Sequence, residues 1–137
     1  MSAADLPHAG VLTRLGPSEI HGVGVFAICP IPKGTQVFPR DQAPIRWIDA
    51  AAIDVTTLGP AERQLYRDFA IRRDGMLGCP ASFDVLTPGW YVNEPRQGEA
   101  ANLRATADFR LIAVRDVVAG RELTLSYAAF NTGPGWQ

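Results

Sequence analysis

GVGVFAICPIPKGTQVF, residues Gly22 to Phe38, reads as two short strands joined by a turn. The first strand starts at Val23, the turn lies around the PIPKG stretch, and the second strand runs from Thr35 to Phe38. Pro32 fixes φ at one corner of that turn and Gly34 relaxes the chain at its exit. FRLIAVRDVVAGRELTLSY, Phe109 to Tyr127, repeats the plan: a strand, a polar break at Arg115–Asp116, a turn at Gly120, and a strand from Glu122. Sliding one stretch onto the other by 86 residues aligns Ala27 with Ala113, Ile28 with Val114, Ile31 with Val117, Gly34 with Gly120 and Val37 with Leu123, without a gap. Two hairpins of one architecture are expected. The eleven prolines and thirteen glycines suit many short strands and turns better than a helical bundle, so the fold class is mainly β.

Outside the hairpins, GPAERQLYRDFAIRR predicts a helix, with Pro60 at its first position after Gly59 and with Ala61, Leu65 and Phe69 recurring at four-residue spacing. On that reading Arg63 and Arg67 lie on another face and, with Arg72 and Arg73, are solvated. Asp49 suits the cap of a shorter turn in DAAAID. At 137 residues and 47% hydrophobic composition the chain is expected to be one domain, residues 13–130, between a loose segment 1–12 and a tail 131–137.

Thirteen Lys+Arg against fourteen Asp+Glu give a net charge of -1, so no whole-chain field draws the protein onto nucleic acid or an anionic membrane. The start MSAADLPHAG lacks a basic region leading into an apolar stretch, and no apolar run approaches spanning length. A soluble, intracellular, cytoplasmic protein is expected. Cys29 and Cys79 read as small buried hydrophobes in flanks without metal-ligand spacing, and His8 and His21 have no cysteine nearby. No metal site is expected.

Three separated stretches carry chemistry: IHGVGVFA (Ile20–Ala27), WYVNEP (Trp90–Pro95) and GRELTLSY (Gly120–Tyr127). Gly22 and Gly24 have no Cβ and let the backbone approach a ligand closely. Asn93 has an amide that donates and accepts at once, which suits a ligand with an ammonium and a carboxylate on one carbon. In an extended segment Tyr91 and Asn93 point to the same face. Together and in this order the three stretches resemble the SET-domain protein-lysine methyltransferases.

The resemblance covers about Thr13 to Phe130 and implies a SET-like fold of the β-clip type, with several short sheets, one or two short helices and a C-terminal segment threaded into a pseudoknot. It implies S-adenosylmethionine as cofactor, along His21, Gly22, Val23 and Gly24 on one side and Tyr91, Val92, Asn93 and Glu94 on the other. His21 would serve the turn and not proton transfer. Tyr127 matches the family's catalytic tyrosine. Tyr91, Phe130 and Trp136 would wall the lysine channel, with Tyr66 a further aromatic. The implied partner is a protein substrate with an exposed lysine.

The sequence leaves the family pattern in one place. Glu94-Pro95 stands where the family has His-Ser, and Asn102 comes late, after RQGEAA. Cysteine-rich flanks are absent, so a lid over the site would come from Phe130–Gln137 or from a second subunit, and by analogy a homodimer is expected. The rebuilt loop also suits an alternative, a SET-like module that binds a protein tail with or without cofactor. Twelve of the thirteen basic residues are arginine and only Lys33 is lysine, which leaves little scope for self-methylation.

Overall fold

Among residues 2–129, which the computed structural model describes, short strands alternate with turns around one α-helix. The order is β1 (Thr13–Pro17), β2 (Val23–Ala27), β3 (Arg46–Asp49), α1 (Pro60–Phe69), β4 (Ile71–Arg73), β5 (Met76–Cys79), β6 (Leu103–Ala105), β7 (Leu111–Ala113) and β8 (Glu122–Leu123). They form three small antiparallel sheets, in the orders β1-β2-β8, β3-β5-β4 and β6-β7. The fold is mainly β, as its turn residues predict. The described residues divide into two compact units: 2–42 with Tyr91–Ser126, and Ala43–Trp90 with 127–129.

In the first unit the 86-residue repeat is spatial as well as sequential. Gly120 N–H donates to Ala27 O at 2.7 Å, and Gly34 N–H donates to Ala113 O at 2.8 Å. Ala27 N–H donates to Arg121 O at 3.0 Å, and Ala113 N–H donates to Thr35 O at 2.9 Å. Shifting by 86 residues exchanges each of these bonds with its counterpart, so the two stretches pair with each other about a local two-fold axis. Neither closes on itself as the expected hairpin: β2 pairs with β8, and in place of the expected strand Thr35–Phe38 there is only an isolated bridge from Gln36 to Ile112. Ile31 and Val117 sit on that axis, each donating to the other's carbonyl at 2.8 Å. The Val25–Leu123 pair of β2 and β8 corresponds to Val37 N–H on Leu111 O at 3.0 Å. The core follows this symmetry: the largest fully buried side chains are Ile31, Leu123, Val25 and Val37. Their burial from water is the main stabilising term here.

Residues 122–125 are held by three stretches of chain. β2 pairs with β8, Asn93 makes a parallel bridge to Thr124, and Leu103 makes a parallel bridge to Leu125. Phe130 and everything after it, including the tail expected to thread and the channel residue Trp136, lie outside the described residues.

The second unit is built on β3-β5-β4. Trp47 packs against Gly78 on the neighbouring strand, where an added Cβ would stand 2.9 Å from its ring. The Arg73 guanidinium stacks on the same indole, 5.2 Å from its centroid. Asp74 and Gly75 turn β4 into β5 with φ of 51° and 81°, the left-handed pair that a tight hairpin requires. Asp49 caps the turn Ala50–Ala52 by accepting from Ala51 N–H at 2.9 Å.

Helix α1 begins at Pro60 as predicted, with the Glu62 carboxylate accepting from Gly59 N–H at 2.9 Å. Its inward stripe is different from the one expected. Arg63, Tyr66 and Phe69, at three-residue spacing, are half-buried, while Ala61 and Leu65 face solvent. Tyr66 meets Phe83 edge-on at 5.0 Å and Phe69 lies 6.5 Å from the same ring. Arg63 is not solvated: its Nη2 donates to Val55 O at 2.7 Å, and its buried Nε has no partner among the described residues. Cys79 is buried and Cys29 half-buried. Among the described residues no helix is long and apolar enough to cross a membrane.

Candidate functional site

The loop from Ser18 to Val23 joins β1 to β2 and is organised by one hydroxyl. Ser18 Oγ accepts from Ile20 N–H at 2.9 Å and from His21 N–H at 3.2 Å, and donates to the Glu122 carboxylate, whose oxygens lie at 2.8 and 2.9 Å. The donor and both acceptor positions of the hydroxyl are thus in use. Ser18 N–H closes the loop on Gly22 O at 2.8 Å. Gly22 takes a φ of 46°, a conformation costly for any residue with a Cβ.

Asn93 is buried and locked from its main chain, its carbonyl accepting from Leu125 N–H at 3.0 Å. Its Nδ2 faces three acceptors: His21 O at 3.0 Å, Val23 O at 3.2 Å and Glu122 Oε2 at 3.1 Å. The amide therefore divides its work. The donor end gathers the carbonyls of the His21–Val23 turn, and no donor among the described residues reaches Oδ1. This separates the two roles that the sequence places together on Asn93.

The two glycines also separate. A Cβ at Gly24 would stand 2.9 Å from Glu122 Cδ and 3.0 Å from Ser18 Cβ, so Gly24 makes room for a carboxylate of the same chain. At Gly22 nothing lies within 4 Å of such an atom, and the space is open. Close approach of a ligand to the backbone is an argument for Gly22 alone. His21, Gly22 and Val23 are exposed beside it.

Tyr91 closes the short turn Pro88–Tyr91, so strand alternation does not relate it to Asn93. Val92 is buried and Glu94 is exposed. The rebuilt loop beyond is tied back to the cluster by Arg96 Nη2 on Glu19 Oε2 at 3.0 Å, an exposed ion pair of small energy. Asn102 does not turn towards His21–Gly24. Its Nδ2 donates to Glu122 O at 2.9 Å and its Oδ1 accepts from Thr124 N–H at 2.8 Å, completing the pairing of residues 122–124.

Glu122 is the residue that sequence reasoning passes over. It is the one acidic side chain of the GRELTLSY motif, and that is the signal available in the sequence. Tyr127 opens the turn Tyr127–Ala129 and is half-buried, in the second unit. Tyr66 is packed on Phe83. Among the described residues no group of three His, Cys, Asp or Glu side chains could hold a metal ion.

Sheets, order of elements and clasped loop define a class: the fold is that of the SET-domain methyltransferases. A candidate histone methyltransferase of Plasmodium falciparum superposes with a TM-score of 0.59 at 18% identity, over 92% of this chain and 96% of that one. The methyltransferase domain of human PR domain-containing protein 2 gives 0.55 at 18% identity, over 95% and 81% of the two chains. A humanized mutant of the Chaetomium thermophilum Polycomb Repressive Complex 2, bound to the inhibitor GSK126, gives 0.60 at 20% identity over 91% of this chain and 16% of that one. No protein-family model matches the sequence, and a search of curated proteins finds no similar sequence.

Proposed function

We propose that this chain is an S-adenosylmethionine-dependent methyltransferase acting on the side-chain amine of lysine in a protein substrate. The observation that carries the reading is the clasp of His21–Gly24 by Asn93, which unites two stretches 72 residues apart on a methyltransferase fold. The residues fit the amino-acid end of the cofactor. Asn93 Oδ1 is an acceptor left for an ammonium, and the backbone at Gly22 is open to a ligand. When bound, S-adenosylmethionine supplies an electrophilic methyl group.

The protein's own task is then to align a neutral amine and exclude water. Tyr127, by its match to the family's tyrosine, is assigned the orientation of that amine through its phenol hydroxyl. A desolvated channel favours the neutral amine over the ammonium. Glu94 and Pro95 offer one backbone N–H where the family's His-Ser offers two, so contacts to the far end of the cofactor differ from the family pattern. The same reading makes the protein soluble and intracellular, with a protein tail carrying an exposed lysine as its partner.

Calorimetric titration with S-adenosylmethionine, followed by labelled-methyl transfer to mixed lysine-rich proteins, tests binding and turnover separately. Both are expected. Binding without transfer would leave a SET-like binding module, and absence of both sinks the cofactor reading. Tyr127→Phe is expected to lower kcat by about 100-fold, the scale of one positioned group in a displacement, with cofactor affinity nearly unchanged. An equal loss of affinity would assign the tyrosine a structural role.

A further inference from the structure

We infer that Glu122 is a positioning residue whose carboxylate holds the Ser18–Gly24 loop in the shape that receives the cofactor. The inference rests on the function proposed above and adds a residue to it. The carboxylate touches both ends of the loop: it accepts the Ser18 hydroxyl at 2.8 and 2.9 Å, and it fills the space where Gly24 lacks a Cβ. Its Oε2 also accepts from Asn93 Nδ2 at 3.1 Å. Ser18 in turn accepts the amides of Ile20 and His21, and Asn93 gathers the carbonyls of His21 and Val23.

One charged group thus orients a hydroxyl and an amide that between them fix four backbone groups of the turn. Hydrogen bonds to a charged acceptor are the stronger kind and direct their donors more sharply. The Glu122 main chain is independently fixed, its carbonyl accepting from Asn102 Nδ2 at 2.9 Å. That leaves the carboxylate anchored at its base. Because the charge acts on the loop through Ser18 and Asn93, its loss should change how well the loop binds and not how fast bound substrate reacts.

The test compares Glu122→Gln, Glu122→Ala, Ser18→Ala and the double variant Ser18→Ala/Glu122→Ala in the full chain. Glu122→Ala and Ser18→Ala are each expected to raise the Kd for S-adenosylmethionine about tenfold, with Glu122→Gln between wild type and Glu122→Ala because one acceptor oxygen survives. The double variant should fall short of the product of the two single losses, since both singles remove the Ser18–Glu122 link while each also removes contacts of its own. kcat at saturating cofactor should stay within about twofold of wild type. In the cofactor-free protein, amide exchange at Ile20 and His21 should speed up in Glu122→Ala, although both amides keep their Ser18 acceptor.

Additive losses, unchanged exchange at Ile20 and His21, or a fall in kcat with Kd unaltered would each overturn the inference while wild type still binds. A wild-type protein that binds no S-adenosylmethionine overturns the proposed function itself. The two failures are therefore distinguishable.

Discussion

Asn102 shows how a single side chain can stand in for a strand. Its amide donates to Glu122 O and accepts from Thr124 N–H, while its own backbone carbonyl takes Val114 N–H at 2.9 Å. It is buried to 7% exposure, so water cannot replace a lost partner. Asn102→Ala is expected to cost about 3 kcal/mol, the sum of two backbone groups left unpaired, read as a lower urea midpoint with unchanged slope. A loss under about 1 kcal/mol would mean that the strand re-pairs without it. The sequence presents this asparagine only as a family residue at the wrong spacing. Its partners lie 20 and 22 residues away, and that distance closes only once the register of β8 is set. The glycine pair teaches the same limit. Both glycines are visible in IHGVGVFA, yet nothing local says that Gly24 answers Glu122 while Gly22 answers its own φ of 46°. Glu122 itself carries no motif that separates a carboxylate facing a hydroxyl from one facing water.

The turns at Gly34 and Gly120 are the most legible features, because turn chemistry acts locally. Their alignment by 86 residues also anticipates the core, since Val37 and Leu123 match in sequence and are both fully buried. What the alignment does not say is that the two stretches pair with each other and not each with itself, for which the crossing at Ile31 and Val117 is the key contact. A mutant cycle tests that crossing. Ile31→Ala is expected to cost about 2–5 kcal/mol and Val117→Ala somewhat less, by cavity formation in a packed core. The double variant should fall short of the sum by at least about 0.5 kcal/mol, as touching residues do. Strict additivity in chemical denaturation would argue against direct packing across the axis. Helix α1 is legible at its start and at Phe69, but not across the rest of its inward face. Periodicity scores arginine as surface, but Arg63 is half-buried and its head donates to Val55 O. The inward stripe is therefore Arg63, Tyr66 and Phe69, and no apolar count would select it.

For the whole molecule, composition and turn residues give the mainly β class, but the division into two compact units is not legible. The chain passes between them at Gln42–Ala43, Trp90–Tyr91 and Ser126–Tyr127, with no low-complexity linker to mark the change. pH acts on the two units through different groups. At the acid end, the Thr106 hydroxyl holds the Asp108 carboxyl below its ordinary value, and Thr56 does the same for Asp54. Both carboxylates are exposed, and their contribution is present above the ordinary carboxylate value and lost as pH falls from there through their lowered folded values.

At the alkaline end the second unit should yield through Cys79. Burial pushes its thiol above the ordinary value of 9.0, and Arg46, its cross-strand partner, pulls the other way without cancelling the rise. A thiol whose folded value is raised stays protonated while the unfolded chain's thiol ionises. Its stability contribution is therefore intact below about pH 9 and is lost as pH rises through the folded value. Urea midpoints measured at about pH 8 and about pH 10 should fall further for wild type than for Cys79→Ser, whose hydroxyl does not ionise in that range. The remaining titrating groups are common to both proteins and cancel in the comparison. Equal falls would show that Cys79 ionises as readily folded as unfolded, and that the β3-β5 pair opens to water without global unfolding.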